Sequence, residues 1–441
     1  MTFKGFFNIG SLKTFSLKIR HRSSIAVRKT RSESTFPVNT GKFCNYLLVI
    51  FPTLLLFSPF STQMPERVIN GIDVLREQNF APLAGKRVGL ITNHTGLAGD
   101  GVSTIDLLFQ TDICKLTALF SPEHGIRGTE DEKVDSSTDK DTGLPVYSLY
   151  GETRRPTVEM LRGIDALVFD IQDIGARFYT YVTTMAYAME AAAKADISFY
   201  VLDRPNPIGG IKIEGPMLDA DKTSFTGYMP MPVRHGMTTG ELARYFNAEN
   251  RIGVKLEVIA MKGWRREHMF WDTEQLWVNP SPNMRSVTAA ILYPGVCLLE
   301  QTNVSVGRGT DKPFEIVGAP WIQPDRFIKL LREAGIPGVE FVPLYFTPDS
   351  SRHKDVPCGG VSMVITDPEK LNSVSLGLTM ISILRTLYPK EFTIDRVRDL
   401  LGNDEVMQIL KNGEIPSEEV WKKNPSSIHF NTARQSALIY N

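Results

Sequence analysis

The residues with the clearest capacity for chemistry follow a short apolar segment. Leu116–Phe120 has the length and composition of a buried strand, and Glu123 and His124 come shortly after it, behind a Ser-Pro pair. Ligands of open α/β sheets bind beside the carboxyl ends of the parallel strands. We therefore predict that Glu123 and His124 lie at a reactive site. The alternative interpretation is a solvated polar turn.

Alternating strands and helices surround this segment. Such alternation is typical of a doubly wound, mostly parallel sheet with right-handed connections, so we predict an α/β fold with a Rossmann-like sheet and a second, smaller C-terminal α+β domain. The predicted strands of the sheet are 87–92, 116–120, 145–150, 166–170, 197–202 and 255–261, with helices at 103–110, 183–195 and 239–250 and a helical turn at 157–161. For the second domain we predict helices at 325–334 and 373–387 and strands at 339–343 and 360–366.

Polar side chains follow four of the predicted strands. Because the carboxyl ends of parallel strands meet at one edge of a sheet, we expect these side chains to lie near each other. They are Asn93, His94, Glu123, His124, Asp170, Gln172, Asp173, Asp203, Arg204 and Asn206.

Carboxylates without a metal or phosphate signature fit acid/base chemistry, and cleavage of a glycosidic bond is the leading reaction class. Glu123 is the candidate proton donor, because burial beside Phe120 would raise the pKa of its carboxyl group. Asp170 and Asp173 compete for the partner role of nucleophile, base or orienting group. Helix capping is the alternative interpretation of Asp173, and the sequence does not distinguish retention from inversion.

Arginines and other polar residues complete the candidate site. Arg177 and Arg204 are suited to forked contacts with a substrate carboxylate, and internal pairing with Asp170 or Asp203 is the alternative. Tyr179 can be a pocket or a core residue, and His235 either lines the pocket or caps a turn. The remaining candidates are Asn283 and, in a glycine-containing segment, Asn303, Ser305 and Arg308.

Charge and hydropathy place the N-terminal segment apart from the rest. Residues 1–42 hold nine of the 49 basic residues and one of the 49 acidic ones, so the remainder carries eight more acidic than basic residues. This excess argues against a nucleic-acid partner. Residues 46–57 are apolar and uncharged, too short for a membrane span and typical of a signal-peptide core. We predict export to the periplasm or exterior, with no membrane span after cleavage; a buried strand is the alternative.

We divide the chain into residues 1–65, a basic extension with the signal peptide; 66–322, the Rossmann-like catalytic domain; and 323–441, the smaller domain. The chain has no G-x-G-x-x-G sequence after the first strand and no P-loop, which argues against a nucleotide cofactor. Its four cysteines have neither metal-ligand spacing nor a disulfide framework. We predict no cofactor and no metal.

Seven motifs in order resemble those of the exo-β-N-acetylmuramidase family of bacterial glycoside hydrolases. The motifs are ITNHTG (91–96), FSPEHGIRG (120–128), VFDIQDIGARFYTY (168–181), LDRPNPIGG (202–210), RHGMTTGE (234–241), NPSPNM (279–284) and TNVSVGRGTDKPFE (302–315). The resemblance runs from about Val68 to the C-terminus. One departure is Gln301, at a position where family members commonly carry glycine.

The resemblance implies a Rossmann-like catalytic domain without a nucleotide. It also implies release of N-acetylmuramic acid (MurNAc) from the non-reducing ends of peptidoglycan fragments such as MurNAc-GlcNAc, for cell-wall turnover or recycling. The catalytic glutamate of the family falls in the S-P-E-H-G motif, hence on Glu123. The lactyl carboxylate of MurNAc requires a cation, which Arg177, Arg204 or Arg308 would supply. A closed-ended pocket would take its walls from residues 127–143 and 264–283.

Two other functions remain open at this point. The first is a non-catalytic muropeptide-binding protein on the same fold. The second is an esterase or amidase that uses Ser121 with His124, although side chains three apart on a loop rarely form such a pair and no G-x-S-x-G sequence exists.

Overall fold

A seven-stranded sheet forms the centre of the first part of the described chain. The computed structural model describes residues 67–126 and 136–441, all within one compact unit that runs from Gln63 to Asn441. The predicted basic extension and signal peptide, and residues 127–135 of the predicted polar loop, lie outside the described residues. The strands of this sheet are β1 (Arg87–Thr92), β2 (Lys115–Ser121), β3 (Ser137–Thr138), β4 (Pro145–Ser148), β5 (Ala166–Asp170), β6 (Ser198–Leu202) and β9 (Leu256–Ile259).

The order of the strands confirms the predicted doubly wound sheet. It is β3-β4-β2-β1-β5-β6-β9, and every described neighbouring pair is parallel except β3 with β4. Strand β5 is buried along its whole length, as expected for a strand with helices on both faces. Thr92 at the end of β1 pairs in register with Asp170 at the end of β5. The loops that follow these two strands therefore start side by side.

Helices flank this sheet on both faces. They are α1 (Gly71–Glu77), α2 (Thr104–Gln110), α3 (Tyr181–Lys194) and α4 (Thr239–Glu249). Thr238 caps α4: its hydroxyl accepts a hydrogen bond from the Glu241 amide, and the Glu241 carboxylate accepts one from the Thr238 amide. Residues 157–161, predicted as a helical turn, form only hydrogen-bonded turns.

The C-terminal part of the chain contains a small antiparallel sheet and most of the remaining helices. Its sheet has the order β10-β12-β11, with β10 (Ile316–Ala319), β11 (Val339–Phe346) and β12 (Cys358–Ile365). A two-stranded antiparallel ribbon pairs β7 (Glu214–Met217) with β8 (Pro232–Arg234). The helices are α5 (Val287–Glu300), α6 (Pro324–Glu333), α7 (Ser373–Leu387), α8 (Arg398–Leu401), α9 (Asp404–Lys411), α10 (Glu419–Lys422) and α11 (Pro425–Ala437).

Helix α5 has no counterpart among the predicted elements. Pro294 and Gly295 lie in its interior and lower its helix propensity, but the helix is almost completely buried and packing compensates. Gly295 faces Gly377 of α7, where an added Cβ on Gly377 would lie 2.2 Å from the Gly295 carbonyl oxygen. Close approach of α5 and α7 therefore requires glycine at this crossing.

Two further features bear on the predicted organisation. Strand β10 precedes the proposed boundary at residue 323 but pairs with β12 beyond it. The division of the chain at that boundary stays a prediction. None of the helices within residues 67–126 and 136–441 combines the length and apolar character needed to cross a bilayer.

Candidate active site

A polar cavity of about 340 Å³ lies where Glu123 follows strand β2. Loops after β2 and β5, the start of α3, the end of α5 and one residue of α8 contribute to its wall. The lining residues are Glu123, His124, Phe178, Tyr179, Thr180, Tyr181, Thr226, Ser281, Tyr293, Cys297, Glu300, Gln301, Arg308, Phe314 and Leu400. The structure thus brings together four of the predicted site residues: Glu123, His124, Tyr179 and Arg308.

The backbone turns sharply at the Glu-His pair. The Gly125 amide donates a hydrogen bond to the Pro122 carbonyl over 3.1 Å, and His124 has a φ of 70°. This is the left-handed region, which is uncommon for residues other than glycine and is often found where side chains are held for function. The turn directs both Glu123 and His124 into the cavity.

Two hydroxyl groups hold the Glu123 carboxyl group. The Thr180 hydroxyl, just before α3, donates a hydrogen bond to Glu123 Oε2. The Tyr150 hydroxyl interacts with the same carboxyl group, and burial followed by this hydrogen bond raises the pKa of Tyr150 to about 12. The tyrosine therefore stays protonated and acts as a donor at neutral pH. With two donors, the carboxyl group has a fixed position at the cavity wall.

A second histidine lies close to His124. The His94 ring contacts the Asn279 carbonyl through Nε2 at 2.6 Å. Burial, and to a lesser extent the neighbouring His124, lower the pKa of His94. His94 therefore favours the neutral form beside the cavity.

Aromatic side chains form one side of the cavity. Tyr179 packs edge-on against Tyr181 and Tyr293, with ring centroids 5.0 and 5.8 Å apart. The Tyr181 hydroxyl donates to the Pro280 carbonyl over 2.6 Å. Burial raises the pKa of Tyr179 and Tyr181 well above the usual range, so both remain neutral. Rigid rings of this kind suit the apolar face of a sugar.

A second carboxylate, Glu300, lies in the wall of the same cavity. It is the last residue of α5, and its Oε1 forms an ion pair with Arg308 Nε at 2.6 Å. The Cys297 thiol approaches Glu300 Oε2 at 3.6 Å. The cavity therefore contains a proton-donor candidate, a paired carboxylate and a cation.

Asp170, for which the sequence predicts a catalytic role, is not among the residues that line this cavity. It is fully buried, and Arg204 Nε lies 2.5 Å from its Oδ1. The Thr104 hydroxyl donates to its other oxygen over 2.5 Å. Arg204 thus forms the internal ion pair that the sequence offered as the alternative, and its contact with a substrate carboxylate stays a prediction.

Asp203, predicted to bind substrate, connects three structural elements instead. It accepts hydrogen bonds from the Thr238 hydroxyl, the Gly240 amide and the Tyr440 hydroxyl, at 2.7, 2.8 and 2.6 Å. Burial raises the pKa of Asp203 to about 6. It joins the end of β6 to the start of α4 and to the C-terminus, and it is not in the cavity wall.

Arg177, also predicted to bind a substrate carboxylate, is used inside the protein. Its guanidinium donates to the backbone carbonyls of Met231, Leu400 and Leu401 over 2.7–2.8 Å. Burial lowers the pKa of Arg177 to about 9, so it remains charged at neutral pH. These contacts engage both terminal nitrogens of the guanidinium with carbonyl groups of α8 and next to β8, so its contact with a substrate carboxylate stays a prediction.

The predicted amide residues mostly satisfy backbone groups. Gln172 donates to the carbonyls of Asp173 and Pro205, and Asn206 donates to that of Met237. Asn303 donates to the Glu391 carbonyl and accepts from the Thr393 amide. These side chains hold the loops in place through hydrogen bonds, and they do not line the cavity.

The other candidates lie near the cavity or behind it. Asn93 accepts hydrogen bonds from the amide and hydroxyl of Thr95. Asn283 is half-buried two residues from Ser281 in the cavity wall. Behind the wall lie His235, Asp173 and Ser305. His235 Nε2 is 3.8 Å from Asp173 Oδ2, and the Ser305 hydroxyl accepts a hydrogen bond from the Gly307 amide.

Sequence reasoning missed three residues that define the site: Tyr150, Thr180 and Glu300. Thr180 ends the quoted motif that contains Tyr179 and Tyr181, and attention to donors for Glu123 would have found it. Tyr150 and Glu300 carry no local signal, because they meet the site only through the packing of β4 and α5. Gln301 has a φ of −82°, so its backbone does not require glycine, and its side chain lines the cavity.

Comparisons with known proteins agree with this architecture. Two family models match, described as the N-terminal and C-terminal parts of the exo-β-N-acetylmuramidase NamZ, over residues 88–288 and 291–440. The chain is 45% identical over 384 residues to the peptidoglycan β-N-acetylmuramidase NamZ of Bacillus subtilis (strain 168), covering 86% of this chain and 93% of the relative.

Two crystal structures of DUF1343 family proteins from Bacteroides fragilis NCTC 9343 have the same fold. One has a TM-score of 0.79 and 38% identity, the other a TM-score of 0.70 and 31% identity. Each comparison covers 85% of this chain and 99% of the solved one. The chain belongs to the exo-β-N-acetylmuramidase NamZ family.

Proposed function

We propose that the protein is an exo-acting β-N-acetylmuramidase that hydrolyses the β-1,4 bond after a non-reducing terminal MurNAc of peptidoglycan fragments, for cell-wall turnover or recycling. The observation that carries this proposal is the fixed carboxyl group of Glu123 in a polar, aromatic-lined cavity at the end of β2. The curated Bacillus relative, a peptidoglycan β-N-acetylmuramidase, supports the same reaction.

Glu123 is the proposed proton donor. In hydrolysis, its carboxyl proton passes to the glycosidic oxygen while the bond from that oxygen to the anomeric carbon breaks. The hydroxyls of Thr180 and Tyr150 hold the carboxyl group so that its proton-bearing oxygen keeps one direction. This removes the entropic cost of orienting a free side chain at each turnover.

Arg308 is the proposed contact for the lactyl carboxylate of MurNAc. Of the three arginines considered, it alone lines the cavity, whereas Arg177 and Arg204 are used in internal contacts. A guanidinium presents its donors in a planar fork, which matches the geometry of a carboxylate group. This contact would distinguish MurNAc from N-acetylglucosamine, which lacks the lactyl group.

The direct test is the rate of hydrolysis of para-nitrophenyl β-MurNAc compared with the N-acetylglucosamine analogue. We expect release of nitrophenol from the first substrate and at most a few per cent of that rate from the second. Equal rates on both substrates, or no hydrolysis of either, would contradict the proposal. Binding of MurNAc-GlcNAc without turnover would indicate the non-catalytic muropeptide-binding protein instead.

A serine nucleophile receives no support from the geometry. Ser121, the serine considered for an esterase or amidase, is fully buried at the end of β2 and is not in the cavity wall. We expect a serine-directed phosphonate to leave the hydrolysis of para-nitrophenyl β-MurNAc unchanged.

We also propose that the protein is exported, on the strength of its basic N-terminal segment followed by the apolar residues 46–57. Export would place the enzyme beside its peptidoglycan substrate. N-terminal sequencing of the protein purified from its native host tests this: we expect a start after residue 57, and a cell-associated protein that retains residues 46–57 would contradict it.

A further inference from the structure

We propose that Glu300 is the second carboxylate of the reaction, the group that acts at the anomeric carbon opposite the proton donor. This inference rests on the proposed function and deepens it. It assigns a catalytic role to a residue at the end of α5.

The contacts of the buried aspartates favour this assignment. The carboxylates expected near the end of the sheet are Asp170, Asp173 and Asp203. Asp170 is ion-paired with Arg204, and Asp203 accepts four hydrogen bonds from protein groups. Asp173 is buried, accepts the Gly175 amide over 2.8 Å and is not in the cavity wall. None of the three lines the cavity that contains Glu123.

Glu300, in contrast, lines the same cavity as Glu123. Its side chain is 26% exposed, so a water molecule or a sugar can reach it. The ion pair with Arg308 at 2.6 Å requires the carboxylate form. An ionised carboxylate is the form needed either to accept a proton or to attack a carbon.

The position of Glu300 is also costly for a merely structural residue. The C-terminal end of a helix carries partial negative charge, which disfavours an anion there, and Arg308 offsets this. Arg308 lies between Gly307 and Gly309, whose φ values of 85° and 77° let the segment turn so that the guanidinium meets the carboxylate. The arrangement keeps a charge exposed in a cavity where a neutral residue would cost less.

The chemistry balances in either of two forms. In the first, Glu300 takes a proton from water, the water oxygen bonds to the anomeric carbon, and the Glu123 proton goes to the leaving oxygen as the glycosidic bond breaks. In the second, Glu300 itself bonds to the anomeric carbon while Glu123 protonates the leaving oxygen; water then displaces Glu300 and returns its proton to Glu123. The first form inverts the anomeric configuration and the second retains it.

The test compares Glu300→Gln with Glu190→Gln. Glu190 is a matched control, because it pairs with Arg155 and its side chain is 27% exposed, yet it lies outside the cavity. On para-nitrophenyl β-MurNAc we expect kcat to fall by about 10²–10⁴-fold for Glu300→Gln and by less than about threefold for Glu190→Gln. NMR of the first-formed sugar identifies its anomer and hence the form of the reaction.

Two readouts separate a catalytic role from a structural one. Azide added to Glu300→Ala should restore bond cleavage and yield a glycosyl azide, which a lost structural ion pair would not produce. Glu300→Asp keeps the charge and should fold, yet the shortened side chain should lower kcat by at least about tenfold.

These experiments distinguish failure of the Glu300 assignment from failure of the proposed function. If the wild-type protein does not hydrolyse the MurNAc substrate, the proposed function is wrong. If the wild-type protein is active and Glu300→Gln keeps more than a third of its kcat, the role of Glu300 is overturned while the function stands. If Glu300→Gln does not fold, wild-type kcat in Glu300→Asp overturns the role equally.

Discussion

At the scale of single residues, the site depends on how the Glu123 carboxyl group is held. The Thr180 hydroxyl donates to it directly, and the Tyr150 hydroxyl approaches it from β4. A hydrogen bond of this kind contributes about 0.5–3 kcal/mol, the upper part of the range applying when one partner is charged. Loss of one should therefore affect turnover measurably without affecting the fold.

Replacing Thr180 tests this geometry. We expect Thr180→Val to lower kcat on the disaccharide by about 10- to 100-fold, because the carboxyl group loses a donor that fixes its direction. Thr180→Ser keeps the hydroxyl and should stay within about threefold of wild type. Steady-state kinetics of both variants provide the measurement. A loss in Thr180→Ser as large as that in Thr180→Val would contradict the role of the hydroxyl, because Thr180→Ser keeps it.

Asp170 gives the opposite pattern, because its role is structural. Removing one partner of a buried ion pair typically costs about 3–5 kcal/mol, since the other charge is left without compensation. We expect Asp170→Asn to lower the free energy of unfolding by about that amount through the stranded Arg204. Urea denaturation measures it, with Glu123→Gln as a control of nearly unchanged stability. A stable Asp170→Asn protein that has lost only turnover would restore the catalytic role predicted from the sequence.

Residue types alone could not separate these two carboxylates. Glu123 and Asp170 both follow apolar strands, and both occur in motifs of polar residues. What distinguishes them is the partner across space: Arg204 turns towards Asp170, whereas hydroxyls meet Glu123. The sequence predicted that Glu123 lies at a site near the end of β2 and offered the Asp170–Arg204 pair as an alternative, but it did not show which interpretation of Asp170 holds.

At the scale of elements, two loops meet at a buried pair of ionisable side chains. Asp173 lies in the loop after β5, and His235 follows β8. Burial raises the pKa of Asp173 to about 7 and lowers that of His235 to about 3. The two side chains are 3.8 Å apart. Both therefore favour their neutral forms in the folded protein around pH 5 to 6.

This state predicts a pH-dependent stability difference. A carboxyl group with a raised pKa binds its proton more tightly when folded, so its contribution is complete below about pH 3.9 and is lost as the pH rises towards 7. Asp173→Asn has no carboxyl group at this position, so its stability does not fall with rising pH for this reason. We expect the unfolding free energy of Asp173→Asn minus that of wild type to increase between pH 4 and 8, by at most about 4 kcal/mol.

Thermal unfolding across that pH range provides the measurement, and Asp165→Asn provides a control. Arg87 holds the pKa of Asp165 well below its usual range, so Asp165 stays ionised throughout and should add no slope above pH 5. A difference between Asp173→Asn and wild type that stays constant or shrinks with rising pH would contradict the neutral buried carboxyl group.

Elements with strong local patterns could be predicted from the sequence. Strands β1, β2, β5 and β6 have apolar runs bounded by polar residues, and α7 begins and ends where its pattern predicts. Helix α5 could not be predicted, because Pro294 and Gly295 reduce its propensity and only burial against α7 compensates. The miss matters for function, since Glu300 and part of the cavity wall belong to this helix.

At the scale of the whole molecule, Arg177 joins the sheet to the C-terminal helices. Its guanidinium satisfies carbonyl groups at the end of α8, and Leu400 of the same helix lines the cavity. Arg177, which the sequence predicts to bind a substrate carboxylate, thus holds one wall of the site in place.

Arg177→Met removes this connection. We expect a loss of about 3–5 kcal/mol in the free energy of unfolding, because buried carbonyl groups lose a charged donor. Urea denaturation monitored by tryptophan fluorescence provides the measurement, and Arg155→Met, at an exposed ion pair, serves as the control. A normally stable Arg177→Met protein with only a raised KM for MurNAc would instead support the substrate contact predicted from the sequence.

The proposed reaction depends on donation of a proton by Glu123 to the leaving sugar oxygen. The most direct measurement compares Glu123→Gln with wild type on two substrates: MurNAc-GlcNAc, whose leaving group needs the proton, and dinitrophenyl β-MurNAc, whose leaving group does not. We expect a loss of about 10²–10⁴-fold in kcat/KM on the disaccharide and a loss at least tenfold smaller on the dinitrophenyl substrate. An equal loss on both substrates, or none on either, would contradict the assignment of Glu123.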